Sequence, residues 1–291
     1  MSKRKIVTGI IIFLIIAGLS LMLYPVLSDY LKNLAFQKAI SEYTASVSEI
    51  DETTYDEILA AARAYNEKLA EKSSINPDLT DAELAEYNSL LNVSGNGVMC
   101  YVNIGKINVS LPVYHGTSDA VLQSGIGHLE GTSLPIGGES THAVLSGHRG
   151  LPSAQLFTNI DRLTAGDTFS VRVLNETLTY EVDQILTVLP HELEALNITE
   201  GEDYCTLLTC TPYGVNTHRL LVRGHRIETP EEEPQISYVP PVIEAVSENS
   251  GISPQIIMIA AAVVVLLIIL LIIIAVRRRK KQKPVKGEHY K

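Results

Sequence analysis

The sequence predicts a mainly β protein: a closed eight-stranded β-barrel with an N-terminal helical extension and two flanking transmembrane helices. Three observations carry this. Between Gly97 and Ile227, about eight short strand-like runs recur between turn signals in about 130 residues, which implies a closed or nearly closed barrel. Ahead of them, Ser28–Lys72 is rich in Ala, Glu, Lys and Leu and contains no Pro or Gly, which reads as helix. Each end of the chain carries a long apolar run with basic residues on its terminal side.

In chain order, Ile6–Leu23 is almost purely apolar, extends to Leu27 around Tyr24 and Pro25, and follows Lys3-Arg4-Lys5. No small-x-small cleavage site closes it, so residues 1–27 read as a basic tip and an uncleaved anchor rather than a signal peptide. Near the other end, 255–276 reads as a second membrane helix; its uncharged run Ile256–Val276 spans about 31 Å as a helix. A basic tail, 277–291, follows, beginning Arg277-Arg278-Arg279-Lys280-Lys281. The positive-inside rule then puts both termini in the cytoplasm and the middle outside, a two-pass topology in the cell membrane. The charge distribution agrees: residues 1–27 and 255–291 hold 11 of the 23 Lys and Arg but one of the 33 acids, leaving 12 basic against 32 acidic residues between them. An outer region of net charge −20 argues against nucleic acid as a partner, because phosphate binding needs a basic surface.

Residues 28–96 form the helical extension. Thr54-x-x-Glu57 before Ile58-Leu59 reads as a capping box opening a helix Tyr55–Glu71, and Thr80-x-x-Glu83 as a second box opening Asp81–Leu91. Between them Ser73–Leu79 is a Pro-containing loop. The plain expectation is a stalk that lifts the following domain off the membrane.

The barrel occupies 97–228. Its expected strands are Val98–Ile104, Ile107–Val113, Thr141–Ser146, Thr168–Val173, Leu178–Gln184, Ile185–Leu189, Asp203–Thr209 and Arg219–Arg226. Leu174-Asn175-Glu176-Thr177 supplies a hairpin turn, and Leu156–Leu163 and Glu192–Leu196 read as short helices. From 229 to 254 the composition turns to Pro and Glu with few large apolar residues, which cannot build a core and reads as an extended tether.

Candidate chemistry concentrates between Tyr204 and Arg226, read as two strands joined by the polar loop Thr211–His218. Cys210 closes the first strand and Arg219 opens the second, which sets a nucleophile beside an anion-stabilising donor. As a residue type alone, a free Cys is more often a small buried hydrophobe. Cys100 and Cys205 read as such core residues, or as a disulfide pair; three cysteines leave at least one thiol free either way. A thiol needs a cationic or basic neighbour to ionise. Of the histidines, His148 ends a strand in Ser146-Gly147-His148-Arg149-Gly150, whose glycines permit close backbone approach. Arg149, Arg223 and Arg226 read as surface arginines. No Cys/His spacing resembles a zinc site.

Thr206-Leu207-Leu208-Thr209-Cys210, with Arg219 nine residues on, resembles the TLxTC signature of sortases, the cell-surface cysteine transpeptidases. Gly127–Pro135, Leu145–Gly150 and Thr211–Arg219 resemble the pilin-polymerising branch, class C, and the likeness covers roughly Gly97 to Ile227. It implies a sortase-type barrel, no cofactor, and three catalytic residues: Cys210 as nucleophile, His148 as general acid and base, Arg219 as stabiliser of oxyanion and substrate. His128, Thr209 and His218 are further candidates to line the groove. The implied substrate is an LPxTG-like sorting signal, cut between Thr and Gly through a Cys thioester. The acyl group would pass to a Lys amine of a pilin subunit; the alternative is attachment of surface proteins to a peptidoglycan peptide. The implied partners are pilin subunits and the bilayer that holds both anchors.

Class C sortases also carry an N-terminal lid over the groove, typically Asp-Pro-aromatic. Here Asn76-Pro77-Asp78-Leu79 keeps the Pro but neither the Asp before it nor the aromatic after it. The resemblance implies a lid-like loop at 73–79, with Asp78 approaching Cys210 or Arg219 and Leu79 in the place of the aromatic.

Overall fold

The computed structural model describes residues 3–72, 74–151 and 154–230. The expected membrane helix 255–276, the tail 277–291 and nearly all of the 229–254 tether lie outside these residues. A single helix, α1, runs from Lys3 to Ser48, so the expected anchor and the start of the extension are continuous. Among the described residues, α1 is the one helix long and apolar enough to cross a membrane.

The next helix, α2 (Glu52–Ala70), begins earlier than the expected box at Thr54–Glu57. Asp51 is the cap: its carboxylate accepts the Thr54 N–H at 2.9 Å and the Thr54 hydroxyl at 3.1 Å, so Thr54 is a donor in the first turn rather than the cap. The second box forms as expected, with Glu83 N–H donating to Thr80 Oγ1 at 3.3 Å and Thr80 N–H to Glu83 Oε2 at 2.9 Å. Its helix α3 (Asp81–Ser89) stops short of Leu91, whose φ of 56° no helix continues.

Eight strands close into a barrel: β1 (Val98–Ile104), β2 (Val109–His115), β3 (Ile126–His128), β4 (Thr141–Ser146), β5 (Thr168–Val173), β6 (Glu176–Val188), β7 (Asp203–Thr211) and β8 (His218–Ile227). Their order around the barrel is β1-β2-β3-β4-β7-β8-β6-β5, with β2–β3 and β4–β7 parallel and the other pairs antiparallel. The strand number matches the expectation although two strands differ. The runs 178–184 and 185–189 are one strand, β6, whose register against β8 shifts between Val182 and Gln184, so a bulge stands where a break was read. The missed strand is β3, three residues that are too short to show a period. At β2, Gly105–Ile107 forms a 3₁₀ turn and Asn108 takes φ 53°, which delays the strand to Val109.

The β5–β6 turn forms where expected, with Leu174 at φ 50°. The expected helices at 156–163 and 192–196 shrink to 3₁₀ turns at Ile160–Arg162 and Glu194–Leu196, while a short helix, α4 (Asp119–Ser124), fills the β2–β3 connection.

The extension is no stalk. Its helices pack on the barrel through buried polar side chains that satisfy backbone groups at turns and at the bulge in β1. Tyr43 of α1 donates to the Met99 carbonyl at 2.9 Å and accepts the Leu174 N–H at 2.7 Å. Asn66 of α2 donates to the Leu134 carbonyl at 3.1 Å and accepts its N–H at 2.7 Å. The Tyr87 hydroxyl of α3 accepts the Gly116 N–H at 2.9 Å and lies 3.0 Å from His128 Nδ1.

Strand alternation divides the apolar residues in two. Cys205 and Leu207 of β7 are fully buried in the main core, with Cys100, Val222 and Phe169. Leu208 of β7, Val144 of β4 and Leu221 of β8 belong to a second cluster, closed over by Leu193 and Leu196 from the β6–β7 connection and by Ile75. That second cluster floors the site.

Candidate active site

Cys210 and Arg219 are cross-strand partners in the β7–β8 ladder, one register step before the loop. The hairpin sets this up, because with Thr211 paired to His218 it returns the tenth residue beside the first. The chain after β4 is drawn to the same strand end by two bonds: Gly147 N–H donates to the Leu208 carbonyl at 3.0 Å, and the Thr209 hydroxyl donates to the Gly147 carbonyl at 2.7 Å. A Cβ on Gly147 would stand 2.6 Å from Ile126 Cδ1 and 2.8 Å from Phe157 Cδ2, so a side chain there would force these neighbours or the backbone to shift. His148 follows directly, and its carbonyl accepts the Phe157 N–H at 3.2 Å.

His148, Cys210, Arg219 and Thr209 together line one groove of about 340 Å³. Leu129, Leu208 and Leu221 form its apolar floor, and Val188, Leu193 and Leu196 one wall. Arg219 is steadied by its own loop, Nη1 donating to the Asn216 carbonyl at 3.3 Å and the His218 carbonyl at 3.2 Å. A thiol, an imidazole and a guanidinium at the mouth of an apolar groove suit acyl chemistry on an extended guest with apolar side chains.

Other candidates fall elsewhere. His128 is a correction: its imidazole is fully buried on the opposite flank, 2.8 Å from the Ser133 carbonyl and bonded to Tyr87, and desolvation pushes its pKa down to about 4. Its ring stacks on Tyr87 of α3 and is absent from the groove lining. His218 is half-buried beside Thr211, with Nδ1 2.9 Å from the Thr217 hydroxyl, and does not line the groove. Asn76, Pro77 and Asp78 are exposed and Leu79 packs against the main core. Asn76 Oδ1 accepts the Asp78 N–H at 3.1 Å, and no ion pair joins Asp78 to Arg219 among the described residues. Within the loop, Ile75 joins the floor cluster and donates its N–H to Asn197 Oδ1 at 3.2 Å.

Two supporting residues were not legible. Arg149, read as a surface arginine, has a side chain only 10% exposed, with Nη1 donating to the Thr211 hydroxyl at 3.0 Å and Nη2 to Asp161 at 2.5 Å. It ties the residue after His148 to the residue after Cys210. His142, buried at 1% exposure, bridges the Asn197 carbonyl (3.1 Å) and the Thr206 hydroxyl (2.7 Å), and desolvation lowers its pKa to about 4. Both depend on contacts far apart in sequence, which no local pattern encodes. All three cysteines are free, Cys100 and Cys205 buried and Cys210 half-buried, which removes the disulfide alternative.

Residues 102–227 match the Sortase domain family. The structure resembles that of sortase C1 from Streptococcus agalactiae at 55% sequence identity, covering 66% of this chain and 100% of that one, with a TM-score of 0.64. It also resembles sortase C from Streptococcus pneumoniae at 44% identity, covering 67% and 100%, with a TM-score of 0.60. By sequence, it is 24% identical over 225 residues to Sortase A of Streptococcus agalactiae serotype III (strain NEM316), covering 76% of this chain and 85% of that one. The chain belongs to the sortase family of cysteine transpeptidases. Within that family the sortase C likeness sets it in class C, among enzymes anchored to the membrane.

Proposed function

We propose that this protein polymerises pilin subunits, with Cys210 as nucleophile, His148 as acid and base and Arg219 as oxyanion stabiliser. The observation that carries the reading is the Cys210–Arg219 cross-strand pair at the mouth of the groove that His148 also lines. The Cys210 thiolate attacks the Thr carbonyl of an LPxTG-like signal; a C–S bond forms while Arg219 donates to the oxyanion. The C–N bond to Gly then breaks and His148 protonates the departing amine. A Lys amine of a second subunit attacks the thioester, gives its proton to His148, and releases the thiolate as an isopeptide bond forms. Sortase C from Streptococcus pneumoniae is described with a pilin substrate specificity, and the likeness to it favours pilin over wall peptide as acceptor.

The same reading assigns residues 1–27 to the tip and anchor, 28–96 to the packed extension, 97–228 to the catalytic barrel, 229–254 to the tether, 255–276 to a second span and 277–291 to a cytoplasmic tail. The test is incubation of the full chain, wild type and Cys210→Ala, with an LPxTG-type peptide and either a Lys-bearing pilin domain or a wall-type amine. Mass spectrometry should find a Cys210-dependent thioester and then an isopeptide to the pilin Lys. Transfer to the wall amine alone would establish the alternative, and an intact peptide with both proteins would overturn the enzymatic reading.

A further inference from the structure

The registers identify which end of the barrel lies nearest the apolar stretch of α1. Tyr114 of β2 pairs with Gly127 of β3, Gly127 with Ser146 of β4, and Ser146 with Leu208 of β7. Moving along these strands toward one rim leads to Val109 on β2, His148 after β4 and Cys210 on β7. Helix α1 meets that rim with the first residues past its apolar stretch. Asp29 accepts the Gln155 N–H at 2.8 Å, Lys32 Nζ donates to the Gln123 carbonyl at 3.0 Å, and Asp29, Asn33 and Phe36 line a small cavity with Val109 and Gln155. Tyr43 holds the opposite rim, about 21 Å further along the helix. The rim bearing the groove is therefore the one nearest the apolar stretch of α1, two residues beyond Leu27.

At this rim the β7–β8 loop protrudes. Residues 212–217, Pro-Tyr-Gly-Val-Asn-Thr, contain no charge. Tyr213 is 60% exposed and Val215 64% exposed, more than any other large apolar residue in the described part of the chain outside α1. One exposed Tyr would need no explanation. Two such side chains in an uncharged loop, on the side from which a membrane helix enters, do. The Tyr213 ring is seated against Gly150, where a Cβ would come within 2.8 Å of its Cε2, so its position is fixed to the chain after His148. Tyr is also a residue that favours the membrane–water interface, with an apolar ring and a polar tip.

We propose that the β7–β8 loop is a second membrane contact: Tyr213 and Val215 insert into the interfacial layer beside α1, and the groove opens at headgroup level. A sorting signal still held by its own hydrophobic tail then reaches Cys210 without leaving the surface. The chain contains no Trp, which makes single-Trp reporters direct. Tyr213→Trp, Val215→Trp and, as a control on α3, Leu84→Trp are made in the full chain and reconstituted into phosphatidylcholine–phosphatidylglycerol vesicles. Emission from the two loop reporters should shift to the blue and be quenched by lipids brominated near the headgroup end of the acyl chain. The Leu84→Trp reporter should be quenched by aqueous iodide and not by bromolipid. Loop reporters that behave like Leu84→Trp, or that shift only on adding a pilin domain, overturn the proposal.

That readout needs no turnover, so it stands or fails apart from the pilin reading. A second arm rests on the proposed activity. Val215→Asp should slow processing of a vesicle-anchored LPxTG peptide about tenfold and leave the free peptide unaffected. Equal loss on both would assign the loop to the groove and count against membrane contact.

Discussion

At the scale of single residues, the site depends on side chains that are missing as much as on those present. Gly147 lets the β4 end press onto Ile126 and Phe157, and His148 inherits its position from that contact. Gly147→Ala should keep the fold yet lower kcat/KM for peptide cleavage about a hundredfold, since a displacement near 1 Å can cost that much. Unchanged kinetics would mean His148 is positioned otherwise. The meeting of Cys210 with Arg219 was legible in sequence because one hairpin brings them together. His148 was legible from its flanking glycines and the family motif. Arg149 and His142 were not, because Thr211, Asp161, Asn197 and Thr206 come to them only through the fold.

At the scale of elements, the helices and the barrel are one structure. Tyr43 satisfies two buried backbone groups, the Met99 carbonyl and the Leu174 N–H at a left-handed turn residue. Tyr43→Phe leaves both unpaired and should cost about 2 to 4 kcal/mol of stability, measured by denaturant unfolding. A loss under about 0.5 kcal/mol would mean that α1 is not held through this bond. The boundaries of β1, β4 and β5 could be read from alternation and turn residues as they stand in the structure. What escaped were features without a local period: three-residue β3, the bulge that joins β6, and the packing that turned an expected stalk into a layer on the barrel.

At the scale of the whole molecule, buried titratable groups set a pH range. Desolvation holds His128 and His142 at about 4 in the folded state, against 6.5 when unfolded. The unfolded chain therefore binds more protons between these values, and stability is full above about pH 6.5 and falls as the pH drops toward 4. Each histidine contributes on the order of 3 kcal/mol to that fall. Asp29 and Asp203, raised by burial, act in the opposite sense: their contribution is greatest at low pH and is lost as pH rises through their folded-state values. The melting temperature should drop between pH 7 and 5, and His142→Gln should flatten the slope; a melting temperature independent of pH in this range would contradict the assignment.

Because the eight strands close on themselves, every strand has neighbours on both sides and the barrel offers no free edge. A passing extended polypeptide cannot join this sheet by strand addition, a mode in which main-chain hydrogen bonds supply the affinity. Selection thus falls to side-chain fit in the groove. Polypeptides that do not fit the groove are left with no backbone edge by which to dock.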